Sequence, residues 1–344
     1  TLHAVLHKRD TRAIIGWVGL AWLAPLAGSL SYWLFGVNRI RRMAAALHIG
    51  EGHAPVEPVL LEEDHRARDE LLRHSPRLQG LHDLGLNVTG KRLLPGNAVS
   101  LLLNGDEAYP AMLEAIEQAK QSVSLLSYIF DVDKAGELFI DALKSAQARN
   151  VEVRVLIDHV GSRYSRPNMV RRLRREGLKV AAFLPTGRPL LTKYTNLRNH
   201  RKILVADGRV GFTGGTNIRE GHVLGWRPKN PVQCAHFRFE GPVVAHLQEV
   251  FAIDWAFTTG EALEGDIWFP AVIARSGTVA ARGVATGPDE DFEKMSEMML
   301  GAIATAERNI RITSPYFLPD PPILRALNVA AMRGVKVDIV IPRK

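Results

Sequence analysis

Cysteine is almost absent, with Cys234 the only one in 344 residues. One thiol excludes a disulfide framework and every zinc site that needs clustered thiolates. Compositional bias is missing too. Hydrophobic residues at 46% beside 23% charged exclude intrinsic disorder and a collagen-like chain. At roughly 150 residues per domain the length predicts about two domains, enough to bury a core without staples. The net charge of +8 is unevenly spread. Residues 1–45 carry a surplus of five positive charges and residues 159–202 a surplus of eleven, so the rest of the chain is eight negative. The basicity is local.

No charge interrupts AIIGWVGLAWLAPLAGSLSYWLFGVN, from Ala13 to Asn38. A helix of about 20 apolar residues spans a bilayer, and this run is longer. Trp17 and Trp22 near one end, with Tyr32 and Trp33 near the other, resemble an aromatic belt. The expectation is a transmembrane helix over about 13–37, within a basic-flanked segment 1–47, with Pro25 as a kink. Lys8, Arg9 and Arg12 balance Arg39, Arg41 and Arg42, so orientation stays open. The chain opens on Thr1, and TLHAVLHKRDTR reads as the tail of an element and a basic loop. An earlier span is therefore expected upstream, which would make the protein multi-pass.

Residues 48–95 read as a polar connector with mixed charges and Pro/Gly breaks. A Leu-rich piece at Leu81–Leu86 is expected to pack on the domain C-terminal to it. From Val99 the pattern becomes β then α: VSLLL as a short buried strand, NGD as a turn, and AYPAMLEAIEQAK with apolar residues at helical spacing. SVSLLSYIF, VEVRVLID and LKVAAFL read as strands, with KAGELFIDALKSAQARN and the basic NMVRRLRREG as helices. Strands alternating with helices argue an α/β layered domain.

A repeat runs through this pattern. AKQSVSLLSYIFDVD from Ala119 matches AERNIRITSPYFLPD from Ala306, and ARNVEVRVLID from Ala148 matches MRGVKVDIVIP from Met332. The offset is 187 residues before the intervening helix and 184 after it. Two similar αβ halves are predicted, 96–270 and 271–344, the second ending before the counterpart of residues 160–260.

NHRKILVADGRVGFTGGTNI, from Asn199 to Ile218, carries the chemistry. Asp207–Gly208 between two apolar runs is a hairpin signal. In a strand His200 and Lys202 share a face. An imidazole beside an ammonium suits attack on a phosphodiester, with the Lys neutralising non-bridging oxygens and the His taking a phosphoryl group. Gly214 and Gly215 allow backbone N–H groups near an anion, and the Asn217 amide adds a donor. A G-G-x-N at fixed offset makes a chance match rarer by about three orders of magnitude.

His200, Lys202, Asp207, Gly214, Gly215 and Asn217 resemble the HKD motif, at about 194–221, of the phospholipase D superfamily. GWVGLAWLAPLAGSLSYWLFGVNRIRR, NGDEAYPAMLEAIEQAK, SYIFDVD, EGPVVAHLQEVFAIDW and RITSPYFLPD resemble bacterial cardiolipin synthases of the two-motif type. The resemblance covers nearly the whole chain. It implies a phospholipase D-like duplicated αβ sandwich preceded by a transmembrane helix, the first half complete and the second truncated. It also implies a phosphatidyltransferase of the bacterial inner membrane, making cardiolipin and glycerol from two phosphatidylglycerol molecules with no metal or cofactor. His200 is then the nucleophile or the general acid, Lys202 holds phosphate oxygens with Asn217 and the Gly214–Gly215 turn, and Asp207 fixes the hairpin. The complementary motif is expected about forty residues beyond Pro342, so the chain as it stands holds half a site and is expected to be inactive alone. Alternatives are hydrolysis by the same fold, as a phospholipase D or nuclease, or a non-catalytic half-module that binds membrane.

One departure stands out. A V-Q-D-x-H-F pattern is expected after the motif, and PVQCAHF puts Cys234 at the acidic position. Either a carboxylate that orients the motif His is lost, or Cys234 is a small packing residue. The run Arg163, Arg166, Arg171, Arg172, Arg174, Arg175 and Lys179 suits anionic lipid headgroups, with no nucleic acid partner expected and a solvated helix face as the plain reading. His159 reads as structural, Trp255 as a helix–sheet contact, and Tyr128, Tyr316 and Phe317 as packing or as walls of an acyl or glycerol pocket.

Overall fold

The computed structural model describes residues 1–7, 11–33, 62–164, 167–184, 198–287 and 294–342. Its centre is an eight-stranded mixed sheet in the order β4-β3-β2-β5-β6-β7-β1-β8. These strands are β1 (Leu94–Leu103), β2 (Ser122–Ser127), β3 (Glu152–Asp158), β4 (Val180–Phe183), β5 (Ile203–Ala206), β6 (Val210–Gly214), β7 (Ala235–Glu240) and β8 (Val279–Ala281). β2, β3 and β4 run parallel, joined through helices; the β5–β6 hairpin and its neighbours are antiparallel. This is the α/β pattern that the alternation of apolar runs predicts.

The N-terminal segment differs from the expected single span. Helix α1 is Leu2–His7, α2 is Thr11–Leu23 and α3 is Pro25–Ser31. Pro25 starts a helix rather than kinking one, and Ala24 before it leaves helical geometry (φ −138°, ψ 75°). The cause is steric: proline lacks an N–H and restricts the residue that precedes it. α3 folds back on α2, so Tyr32 meets Trp17 edge-on at 5.3 Å. Gly28 makes this approach possible, since a Cβ there would lie 2.3 Å from the Leu20 carbonyl oxygen. Among the described residues no helix is long and apolar enough to cross a membrane. Residues 34–38 of the apolar run and the Arg39–Arg42 flank lie outside the described residues.

The connector is more ordered than its composition suggests, with α4 (Glu62–His74) and α5 (Gln79–Thr89). Residues 48–61 lie outside the described ones. NGD is not a turn but the opening of α6 (Asn104–Gln118), where Asn104 Oδ1 accepts the Cys234 N–H (2.9 Å) and Asp106 accepts those of Leu224 and Gly225. Val99–Leu103 forms the outer half of β1 and is largely exposed; only its first residues are buried.

Two cores sandwich the sheet. One face packs α6, α7 (Lys134–Ala148) and α8 (Met169–Arg175) around Ile116, Phe130, Phe139 and Phe212. The other packs α9 (Val244–Thr259) around Phe251, Trp255 and Trp268. Adjacent strand positions alternate between them: Leu125 and Leu204 face the first core, Leu126 and Ile203 the second.

The repeat is realised down to its register. β9 (Asn309–Thr313), α11 (Pro321–Met332) and β10 (Lys336–Val340) reproduce β2, α7 and β3, with α10 (Lys294–Thr305) ahead of them. Ser122 pairs with Glu152 in the first parallel ladder and Asn309 with Lys336 in the second, the same positions at the repeat offsets. Asp133 caps α7 by accepting the Gly136 N–H (2.9 Å), and Asp320 caps α11 by accepting that of Ile323 (3.1 Å). The two units touch through α5, where a Cβ on Gly301 of α10 would meet Leu84 and Leu81.

Candidate active site

The site forms where β2 and β3 end at their carboxyl edges, beside the segment that leads into β5. β5 starts at Ile203, so His200 and Lys202 precede the strand rather than sitting within it. They still converge. The His200 ring stacks on Tyr128, with centroids 3.9 Å apart and planes 18° apart. Lys202 Nζ lies 5.5 Å from the same ring centroid and donates to the His200 carbonyl. Burial pulls the His200 imidazole below its usual value, with Lys202 and Arg198 adding to the fall and Asp158 opposing it. Burial pulls Lys202 down to about 8, against the raising influence of Cys234 and Asp158. The pair is therefore a neutral imidazole beside a cation at neutral pH, the states a nucleophile and an anion holder need.

Two buried carboxylates hold this segment. Asp158, at the end of β3, accepts the Asn199 N–H (3.0 Å) and the Val160 N–H (2.9 Å). Asp254, on α9, accepts the Asn199 side-chain amide (2.7 Å) and takes Arg201 Nη1 on both oxygens, each at 2.7 Å. Both neighbours of His200 are thus pinned to one helix. Sequence reasoning passed over Asp254, because a carboxylate in FAIDW lies 53 residues from Arg201 and nothing local links them.

Asp207 lies at the other end of β5, about 16 Å from Lys202 at ~3.3 Å per residue. Its carboxylate accepts the N–H groups of Lys120 (2.9 Å), Gln121 (2.8 Å) and Ser122 (2.9 Å), tying the hairpin to the start of β2. Asp207 (φ 53°) and Gly208 (φ 62°) are both left-handed, as a tight type I′ turn requires. The glycine pair departs from expectation. The Gly215 N–H does not face open space for an anion; it donates to the Ala235 carbonyl (2.9 Å). Gly214 (φ 154°) allows a close approach instead, since a Cβ would fall 2.8 Å from His236 Nδ1. Asn217 Oδ1 accepts the Ile129 N–H (3.1 Å), leaving its Nδ2 without a partner among the described residues.

Cys234 sits against this turn, its Sγ 3.5 Å from where a Gly215 Cβ would stand. Burial pushes its thiol up, partly offset by Lys202 and Thr216. Two imidazoles missed in the sequence lie alongside: His222 and His236 are buried and held down to about 4 by that burial, with Lys202 a further influence on both. In the antiparallel ladders His236 pairs with Gly214, and extending the Ile203–Thr213 pair by one step brings Gly214 opposite Lys202. The D-x-H spacing expected around Cys234 was the available signal for His236. Among the described residues no group of three or more His, Cys, Asp or Glu is placed to hold a metal.

This fold is shared with phosphatidylserine synthase of Haemophilus influenzae, at a TM-score of 0.51 and 13% identity over 76% of this chain and 66% of that one. The profile of a family described as "Cardiolipin synthase, PLD-like domain" matches residues 112–255 and 299–344. Cardiolipin synthase of Geobacillus thermodenitrificans is 32% identical, over 98% of this chain and 67% of its own length. Cardiolipin synthase A of Pseudomonas putida is 33% identical, over 100% of this chain and 71% of its own. The chain belongs to the cardiolipin synthase family of phospholipase D-like enzymes. These alignments run across nearly all of this chain but only 67% and 71% of the relatives' own lengths, so about a third of each relative has no counterpart in residues 1–344.

Proposed function

We propose that this enzyme moves a phosphatidyl group from one phosphatidylglycerol to another through His200, giving cardiolipin and glycerol. Its family makes it a phosphatidyltransferase. The observation that carries the reading for His200 is its convergence with Lys202 on Tyr128. A neutral imidazole nitrogen attacks phosphorus; the P–N bond forms as the P–O bond to the departing glycerol breaks. That oxygen takes a proton from a second imidazole. The hydroxyl of the second phosphatidylglycerol then attacks, returns its proton to that imidazole, and breaks the P–N bond. By symmetry His200 can fill either role, with the other falling to the His of a complementary motif; residues 1–344 hold a single H-x-K-x4-D. Lys202 and the Asn217 amide hold the non-bridging oxygens as charge builds. Asp207, bonded to three backbone N–H groups, braces the hairpin and moves no proton.

Both substrates are lipids, so the enzyme works at a membrane surface, the inner membrane of a bacterial cell. The α2–α3 hairpin supports this, because its tip presents Trp22, Leu23 and Leu26 at 74%, 90% and 90% exposure. Mass spectrometry of phosphatidylglycerol vesicles incubated with the protein tests the acceptor. Cardiolipin with equimolar glycerol is expected; phosphatidic acid instead would make water the acceptor and overturn the transfer reading.

A further inference from the structure

The basic run before the motif is divided by the fold into spent and unspent charge. Arg172 pairs with Glu137 and Glu176, and Lys179 with Glu152. Arg166 lies outside the described residues. Arg163, Arg171, Arg174 and Arg175 instead line one cleft of about 1100 Å³ between α8, edge strand β4 and the carboxyl end of α9. No Asp or Glu is among the described residues lining it. Arg163, Arg171 and Arg175 have no ion-pair partner among the described residues, and Arg174 reaches only the Val180 carbonyl, at 3.4 Å. His159 lines the same cleft, and burial together with the Arg163 charge pulls its imidazole below the usual value.

Four guanidinium groups around one concavity repel each other, and a concave wall concentrates their field. An anion with several oxygens relieves that repulsion, and guanidinium forks match phosphate geometry. The cleft adjoins the reaction site without being part of it. Asp158, next to His159, holds the Asn199 N–H, yet neither His200 nor Lys202 lines the cleft.

We propose that this arginine cleft is a second phosphate site, separate from His200, that takes the headgroup phosphate of an anionic phospholipid and seats the enzyme on the bilayer. Two observations favour lipid over nucleic acid. No Phe, Tyr or Trp is among the described residues lining the cleft, although single strands bind largely by stacking on such rings. The same chain also exposes the apolar tip of the α2–α3 hairpin, which suits a lipid interface.

The test uses Arg171→Glu/Arg175→Glu beside a charge-matched control away from the cleft, Lys229→Glu/Arg325→Glu. Each protein is sedimented with phosphatidylcholine vesicles with and without phosphatidylglycerol, and titrated separately with inorganic phosphate and with a single-stranded oligonucleotide. The expected result is a fall of about tenfold or more in binding to the anionic vesicles for the cleft variant alone, at about 1 kcal/mol per basic residue. An equal fall in the control would overturn the proposal. So would loss of phosphate or oligonucleotide binding with vesicle binding unchanged, which would assign the cleft to a free phosphate or to nucleic acid. If charge reversal lowers the melting temperature, Arg171→Gln/Arg175→Gln is read in the same way. Either outcome leaves the reaction assigned to His200 untouched.

Discussion

The imidazole of His200 lies flat on the phenol ring of Tyr128, centroids 3.9 Å apart. Lys202 points its ammonium at the same ring, so one aromatic plate sets the positions of both motif side chains. Tyr128→Phe keeps the plate and is expected to keep activity within a few-fold. Tyr128→Ala removes it and is expected to lower kcat by about 100-fold, the scale of an ångström-sized misplacement. Equal activity in both variants would remove Tyr128 from the account.

The pH profile follows from the two shifts. Lys202 is charged below about 8, so its hold on phosphate is complete at neutral pH and fades as pH rises through about 8. His200 has a lowered value and is neutral at pH 7, protonating only on the acid side of its ordinary range. A bell-shaped kcat/KM is expected, with its alkaline limb near 8. In Lys202→Arg, whose charge persists, whatever activity survives should lack that limb. A limb that stays put in this variant would assign it to another group.

Asp254 is a positioning residue by geometry, clamping Asn199 and Arg201 on either side of His200. Removing one partner of a buried pair costs roughly 3 kcal/mol. Asp254→Asn should therefore lower the melting temperature and reduce kcat tenfold or more, with KM little changed. A rise in KM alone would place Asp254 in substrate binding instead.

Cys234→Asp puts a carboxylate near Lys202, where the thiol now sits against Gly215. Activity is expected to rise severalfold, and the alkaline limb to move above 8 as the new charge stabilises the ammonium. If neither changes, Cys234 is a packing residue and nothing more.

His222 and His236 are neutral in the folded protein down to about 4, whereas an unfolded His protonates near 6.5. Below 6.5 the unfolded chain binds more protons, so stability falls as pH drops from 6.5 toward 4, by up to a few kcal/mol for each group. Both ring nitrogens of His236 lack a hydrogen-bond partner among the described residues. His236→Gln should flatten this acid slope when melting temperature is measured against pH; an unchanged slope would exclude His236 as its source.

Much of this was legible because it is local. The Asp207–Gly208 turn and strands β2, β3, β9 and β10 follow from short patterns, and the repeat offsets survive as ladder register. The turn at Ala24 was hidden because a proline in an apolar run is compatible with a kink or a reversal. Gly28, eight residues from Leu20, permits the reversal here. The opening of α6 was hidden for a different reason. Asn104 and Asp106 satisfy backbone groups more than a hundred residues away, so their turn-like composition serves tertiary contacts. The motif residues could be picked out by spacing. What the glycine pair does could not, because the Gly215 N–H finds its acceptor in Ala235 across the sheet.

In the proposed reaction His200 is indispensable. The direct measurement is cardiolipin formed from phosphatidylglycerol vesicles by wild-type and His200→Ala enzyme, with melting curves for both. Matching curves and no cardiolipin from the variant are expected. Appreciable cardiolipin from a folded His200→Ala enzyme would contradict this.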